Sequence, residues 1–434
     1  MTLPRENRSL RVLLISANTE TLNMPTLPMG LASVAAAARA AGHKVRFLDL
    51  MGRIETAALV AAAVADFDPQ VIGVSIRNID DQRSREPQFL LDGAVPVVAA
   101  CRRASRAPVV LGGAGYSLFP AAALEYLGAD MGIQGEGETA FVQLLALLDA
   151  GRQDLSQVPG LYRRGEPPPH RRVYEPDLDR LPLAGPELFD PALADNPACY
   201  LPFQTRRGCP LGCSYCSTAT IEGRRIRRRS PEAVVAALRT WRAAGFRRVF
   251  FVDNTFNLPP TYARELCRRI EQAGLDLQWR AIVYPGQVAP ELVDAMARAG
   301  CREVSLGFES GSAAILDRYG KRFTPEDIRR AARLLAEADI RAMGFLMLGG
   351  PGENRASVLE SLNFADGLGL ESMRLTVGVR IYPYTDLSRR AAAEGMIAPT
   401  DDLLQPRFYL VPGMADWLYD TVAQWCARRS GWFC

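Results

Sequence analysis

Cys209, Cys213 and Cys216 occupy the short stretch from Arg207 to Ser217, spaced Cys-x3-Cys-x2-Cys. Three thiolates on one loop can hold three irons of a four-iron cluster, which leaves the fourth iron open to a substrate or cosubstrate. Clusters that only carry electrons usually take four cysteines, and a zinc site needs a second ligand pair at its own spacing. Neither pattern accompanies the triad. Cys101, Cys267 and Cys301 fall in or beside helical segments and read as small hydrophobes. Cys199, Cys426 and Cys434 match no cluster spacing and read as structural. No Ser-His-Asp constellation, P-loop or zinc-protease helix offers a competing chemistry.

The rest of the chain must supply a frame for that loop. At 434 residues it is long enough for two or three domains. Its 51 basic and 48 acidic residues leave a net charge of +3, too small an excess to create a nucleic-acid or membrane field. Nearly all the basic residues are Arg, with Lys only at Lys44 and Lys321, which reads as genomic composition. Residues 1–10 are polar and charged, and no apolar run is long enough to span a bilayer. A cytoplasmic protein with neither membrane nor nucleic-acid partners is therefore expected. Nine cysteines in that setting point to metal or redox use rather than to disulfides.

Over residues 11–150, short β-branched runs alternate with longer Ala- and Leu-rich stretches. Runs at 12–16, 44–48, 71–75, 108–111 and, more weakly, 129–133 predict five strands, and segments such as 31–41 and 90–103 suit crossover helices. The alternation predicts an α/β protein whose first domain, 1–150, is a doubly wound, flavodoxin- or Rossmann-like parallel sheet. Residues 151–200 are rich in Pro and Arg and read as a linker with little regular structure. A second series begins with a strand at 202–205 and a helix at 231–244, followed by strands at 248–252, 277–283, 303–307, 342–348 and 373–381. Six such units predict a partial (β/α)6 barrel over 201–385, with functional residues on the loops after its strands. Residues 386–434 read as a small helical cap, whose Trp417, Tyr419, Trp425 and Trp432 form core or close a pocket.

The cysteine spacing, with Tyr215 before the last cysteine, resembles the signature of the radical S-adenosylmethionine (SAM) superfamily. The resemblance implies a [4Fe-4S] cluster on Cys209, Cys213 and Cys216, with SAM chelating the open iron through its amino and carboxylate groups. One electron, from an external flavodoxin- or ferredoxin-type donor, would then split SAM to methionine and a 5′-deoxyadenosyl radical. Later strand ends resemble the superfamily's SAM-binding pieces. Asp253 and Asn254 would meet the SAM amino group, Glu309 and Ser310 the ribose and carboxylate. Gly349 and Gly350 would let the backbone approach the adenine, and Arg380 to Pro383 ends the sixth strand. In the arginine run 224–229 most side chains are expected to be solvated. Arg227 is its candidate for the SAM carboxylate, because a planar guanidinium suits a carboxylate. The run lacks the interleaved aromatics of a nucleic-acid stacking platform.

The first half resembles the cobalamin-binding domain that precedes many radical SAM cores, through segments 27–30, 41–45, 73–75, 112–117 and 135–138. In a flavodoxin-like strand order the ligand crevice lies at the carboxyl ends of the first and third strands. Loops 17–28 and 76–83 would flank the corrin there, next to Ser75. Gly112 and Gly113 would leave room for a nucleotide tail, and Gly135 and Glu136 open a helix whose N–H groups suit polar ligand atoms. The two histidines, His43 and His170, lie outside any Asp-x-His-x-x-Gly arrangement, so cobalt is expected to lack a histidine ligand. Arg77, Asn78 or Asp80 would face the lower side of the corrin, or the same polar loop packs against the second domain.

Enzymes with this domain order mostly methylate carbon or phosphorus centres that are poor nucleophiles. The resemblance therefore implies a cobalamin-dependent radical SAM methyltransferase acting on a small metabolite or natural-product intermediate. A rearrangement, cyclisation or ring contraction is the competing reaction. A sensing module without turnover is disfavoured by the intact cysteine loop. A tRNA methylthiotransferase is disfavoured because that family's first domain adds three cluster cysteines, whereas here it holds only Cys101.

Overall fold

The computed structural model describes residues 9–20, 25–169 and 172–434. Part of the loop 17–28 expected beside a corrin, and His170, therefore lie outside the described residues. The chain divides into two compact units: 1–81, 88–199 and 220–223 form the first, and 82–87, 200–219 and 224–434 the second.

The first unit is built on β1 (Arg11–Ser16), β2 (Lys44–Asp49), β3 (Val71–Ser75), β4 (Val109–Gly112), β5 (Met131–Ile133) and β6 (Leu161–Arg163). They run in the order β2-β1-β3-β4-β5-β6, and the first five are parallel in the expected flavodoxin-like arrangement. The sixth strand is antiparallel to β5, with Leu161 opposite Ile133. It comes from the stretch read as a linker with little regular structure, because three residues pairing with an open sheet edge carry no periodic signal. Elsewhere the described residues of that stretch form short 3-10 turns. Leu14, Val71 and Val110 pack against Ala35 and Ala38 of helix Met29–Ala40 and Phe141 and Leu144 of helix Gly137–Asp149. Leu13, Ile72 and Leu111, which point to the opposite face, are at most 1% exposed as well, and burial on both faces is why the strands read as continuous apolar runs.

The second unit carries six parallel strands in sequence order: Leu201–Phe203, Arg248–Phe251, Gln278–Val283, Cys301–Glu309, Arg341–Leu348 and Ser372–Val377. A seventh, Trp432–Phe433, pairs parallel to the sixth. The tail is thus a pair of helices, Asp386–Ala393 and Ala415–Ala427, plus two short strands, Phe408–Tyr409 and Trp432–Phe433, rather than a purely helical cap. Connecting helices begin with proline at Pro231, Pro260, Pro290 and Pro325. Proline suits that position because its missing N–H would be unsatisfied there anyway. Along the strands fully buried residues alternate with half-buried ones. One face packs on helices while the other lines a concave surface, and the loops after the strands rim it.

Beneath the second and third of these strands, Phe251, Phe256 and Trp279 are at most 1% exposed, with ring centroids 4.9–5.4 Å apart. Phe251→Ala is expected to cost about 3–5 kcal/mol. Urea unfolding followed by tryptophan fluorescence measures that loss.

Candidate active site

The cysteine loop is clamped where it leaves the sheet. Arg206–Arg207 and Arg227–Arg228 pair as an antiparallel ribbon that closes the loop at its base. Below the ribbon Asp253 is fully buried. It accepts hydrogen bonds from Thr205 N (2.7 Å), Thr205 Oγ1 (2.6 Å) and Arg206 N (3.0 Å) and lies 3.2 Å from Arg206 Nε. Burial raises the pKa of this carboxyl, and the Arg206 charge opposes the rise. The Asp253 carboxylate is engaged inside the protein, which leaves the backbone of this segment for the expected contact with a SAM amino group. Its half-buried neighbour Asn254 faces the loop instead. Cys216 Sγ donates to Thr218 Oγ1 (3.3 Å), which donates to Asn254 Oδ1 (3.4 Å).

A turn at 318–321 supports the other side of the loop. Ser214 N donates to Tyr319 O at 2.9 Å, Ser214 Oγ to Arg318 O at 3.2 Å, and Leu387 N to Ser214 O at 2.9 Å. Gly320, at φ +69°, is required in this turn, since a Cβ there would sit 2.8 Å from Gly212 O. The Tyr215 ring meets Tyr319 edge-on at 5.5 Å. Lys321 Nζ reaches Glu309 Oε1 at 3.3 Å, a partner that the reading of motifs missed. Its signal was that the chain holds only one other lysine.

None of the three thiols is in a disulfide; Cys209 is buried, Cys213 half-buried and Cys216 exposed. Burial pushes the Cys213 thiol up, with Lys321 opposing. Among the described residues no three His, Cys, Asp or Glu side chains converge on a single metal ion. A cubane asks for something else, because each thiolate takes a different iron. Three sulfur donors on one clamped loop fit that requirement.

The later strand ends divide between the site and its supports. Glu309 sits at φ +66° where the strand pairing shifts between Gly307 and Glu309. Ser310, by contrast, is fully buried; its Oγ lies 2.9 Å from Ser361 Oγ and accepts from Ser312 N at 3.1 Å. That corrects its expected contact with SAM: it shapes the turn. A Cβ on Gly349 would collide with Leu410, and one on Gly350 with Tyr319. The room those glycines leave is filled by the protein's own side chains, not held open for adenine. Both N–H groups donate to Glu353 Oε2, the second at 2.9 Å. Glu353 Oε1 is buried without a partner among the described residues, and burial pushes the carboxyl up to about 7. Arg227 and Arg229 are buried while Arg224, Arg225 and Arg228 are exposed. Most of the run is thus solvated as expected, and Arg227 and Arg229 are the two arginines turned inward.

In the first unit the strand order β2-β1-β3-β4-β5 puts the expected ligand position at the carboxyl ends of β1 and β3. Gly113, at φ +98°, has Ile76 O only 2.5 Å from where a Cβ would stand, whereas nothing lies within 4 Å of one on Gly112. Open space beside Gly112 fits a ligand tail; Gly113 serves the chain's own turn. Ser75 and Asn78 are half-buried, Asp80 is buried, and Arg77 is exposed. No hydrogen bond or ion pair holds the Arg77 side chain among the described residues. The loop then divides, and residues 82–87 join the second unit, where Ser84 Oγ lies 2.7 Å from Tyr419 Oη. Gly135 N donates to Ser117 Oγ (3.0 Å), and Glu136 Oε2 accepts from Glu175 N (2.9 Å). The Gly135 N–H is thus used within the protein, while the Glu136 carboxylate ties down residue 175. His43 is buried, accepts from Leu10 N at Nδ1 (3.3 Å) and is shifted to lower pKa by burial. It is a packing residue, as read.

A doubly wound domain followed by a strand-end triad of thiols on a parallel α/β unit defines a two-cofactor enzyme class. The Radical SAM superfamily model matches residues 204–365 and the B12 binding domain model residues 15–145. An uncharacterized methyltransferase of Pyrococcus horikoshii is 30% identical over 383 residues, covering 85% of this chain and 79% of that protein. The tryptophan 2-C-methyltransferase of Streptomyces laurentii is 25% identical over 447 residues, covering 87% and 74%. The fold is shared with the radical S-adenosylmethionine methyltransferase TsrM of Kitasatospora setae, at TM-score 0.85 and 24% identity over 98% of this chain and 91% of that one. The chain belongs to the cobalamin-binding radical SAM family of methyltransferases.

Two outcomes follow from the buried carboxyls. Asp253→Asn leaves Arg206 without its counter-charge and is expected to cost about 3 kcal/mol or more in urea unfolding. Glu353 holds its proton in the folded state where the unfolded chain releases it. Its contribution to stability is complete below pH 4.5, its ordinary pKa, and is lost as pH rises to about 7, at about 1.4 kcal/mol per pH unit. Glu353→Gln should flatten thermal stability across that window, measured as melting temperature against pH.

Proposed function

We propose that this methyltransferase acts on an unactivated carbon, or phosphorus, of a small metabolite or natural-product intermediate. The observation that carries the reading is the pairing, in one chain, of three thiols outside any disulfide on a clamped strand-end loop with a flavodoxin-like parallel sheet. Relatives matched across both halves support it, and by name they act on tryptophan and on cytidylyl-2-hydroxyethylphosphonate, the latter an enzyme of Streptomyces wedmorensis.

Cys209, Cys213 and Cys216 are assigned to three irons of a [4Fe-4S] cluster. When bound, that cluster supplies the electron that opens the SAM sulfonium, and cobalamin carries the methyl group to be transferred. Around the thiols, Asn254 orients Cys216 through Thr218, Tyr215 shields the loop, and Glu309 and Arg227 offer a carboxylate and a guanidinium to SAM. In the first unit Gly112 leaves space for the nucleotide tail of cobalamin. Arg77, with Asn78 beside it, is assigned to the corrin face that lacks a histidine. An external flavodoxin- or ferredoxin-type protein is assigned as electron donor and the cytoplasm as compartment. No helix among the described residues is long and apolar enough to cross a membrane.

The test is an anaerobic incubation of the reconstituted enzyme with SAM, reductant, cobalamin and a panel of small aromatic and phosphonate acceptors. Product one methyl group heavier, together with S-adenosylhomocysteine, is expected. A substrate consumed without either, giving an isomer or ring-contracted product, contradicts the assignment in favour of rearrangement.

A further inference from the structure

Lys321 is the one lysine of the second unit, in a chain whose basic residues are otherwise arginine apart from Lys44. Its side chain is 5% exposed and its Nζ lies 3.3 Å from Glu309 Oε1. The same atom lies 5.4 Å from the Tyr215 ring centroid and 5.8 Å from that of Phe323. A buried ammonium loses several kcal/mol of hydration, and an apolar side chain of similar size often serves folding as well. Stability alone therefore gives no reason for a charge here. The position is fixed relative to the cysteine loop: Tyr319 O holds Ser214 N, and Gly320 backs onto Gly212. The Nζ therefore lies over a ring of the cysteine loop itself, since Tyr215 stands between Cys213 and Cys216.

Resting on the cluster assignment above, we infer that Lys321 is an electrostatic positioning residue whose fixed charge, oriented by Glu309, sets the reduction potential of the iron–sulfur cluster. Reduction adds one negative charge to a cluster, and nearby charge and solvent exposure set how readily that happens. A neighbouring cation stabilises the reduced state and a neighbouring carboxylate opposes it. With water largely excluded, neither is well screened. The two partners should therefore shift the potential in opposite directions.

The test is a potentiometric titration of the reconstituted enzyme, followed by electron paramagnetic resonance without SAM. Lys321→Met should make reduction at least tenfold less favourable, about 59 mV for one electron. Glu309→Gln should move the potential the other way, and Lys321→Arg should stay near wild type. A residue that merely packs would change iron content or melting temperature without opposite-signed shifts. Unchanged potentials, or shifts of one sign, in variants that load iron like wild type overturn the inference. Should Lys321→Met fail to fold, the double variant K321M/E309Q leaves no unpaired carboxylate. Its potential should lie negative of that of E309Q alone, and equal potentials in those two variants are equally fatal. If the wild type itself takes up no iron, the cluster assignment falls and this inference with it.

Discussion

Asp253, a carboxylate without exposed surface, joins the strand that enters the cysteine loop to the strand beside it. Removing such a charge from water is costly, and the cost is offset only if Thr205 and Arg206 present their donors together. One register of strand 201–203 against strand 248–251 satisfies that condition. The ribbon of Arg206–Arg207 with Arg227–Arg228 closes on this base, and the three thiols stand on the loop that it closes. A cluster site needs its donors held before the metal arrives, and the buried ion pair does the holding.

The same economy recurs around the concave face. Ser310 with Ser361, Glu353 with the Gly349 and Gly350 amides, and Tyr319 with the cysteine loop are internal hydrogen-bond supports set one layer behind the loops they steady. Asn254, Glu309 and Thr218 stay half-buried beside the cysteine loop, as does Tyr215 within it. Polar groups that look functional from their place in a motif thus separate into those that hold the frame and those that face outward from it. Accessible surface makes the division, since a group with none cannot meet a ligand.

Much of the fold was legible because β-branched runs between glycines and prolines mark parallel strands buried on both faces, as in β1, β3 and β4. The thiol triad was legible because its ligands are local in sequence. What was missed depends on distant partners. Strand β6 exists only because β5 offers an open edge, and Trp432–Phe433 only because the sixth strand of the second unit does. Asp253 and Ser310 were taken for ligand contacts because they end strands, yet their partners lie 48 and 51 residues away and leave no trace in the motif. Lys321 escaped notice because an isolated lysine has no spacing to recognise.

Nine cysteines are present, and the account assigns iron to only three of them. Iron and sulfide analysis with Mössbauer spectroscopy, on anaerobically reconstituted single Cys→Ala variants at all nine positions, tests that assignment most directly. Loss of the four-iron signal at 209, 213 and 216, with retention at 101, 199, 267, 301, 426 and 434, is the expected pattern. A full cluster surviving replacement of any of the three, or one that also requires a fourth cysteine, would contradict it.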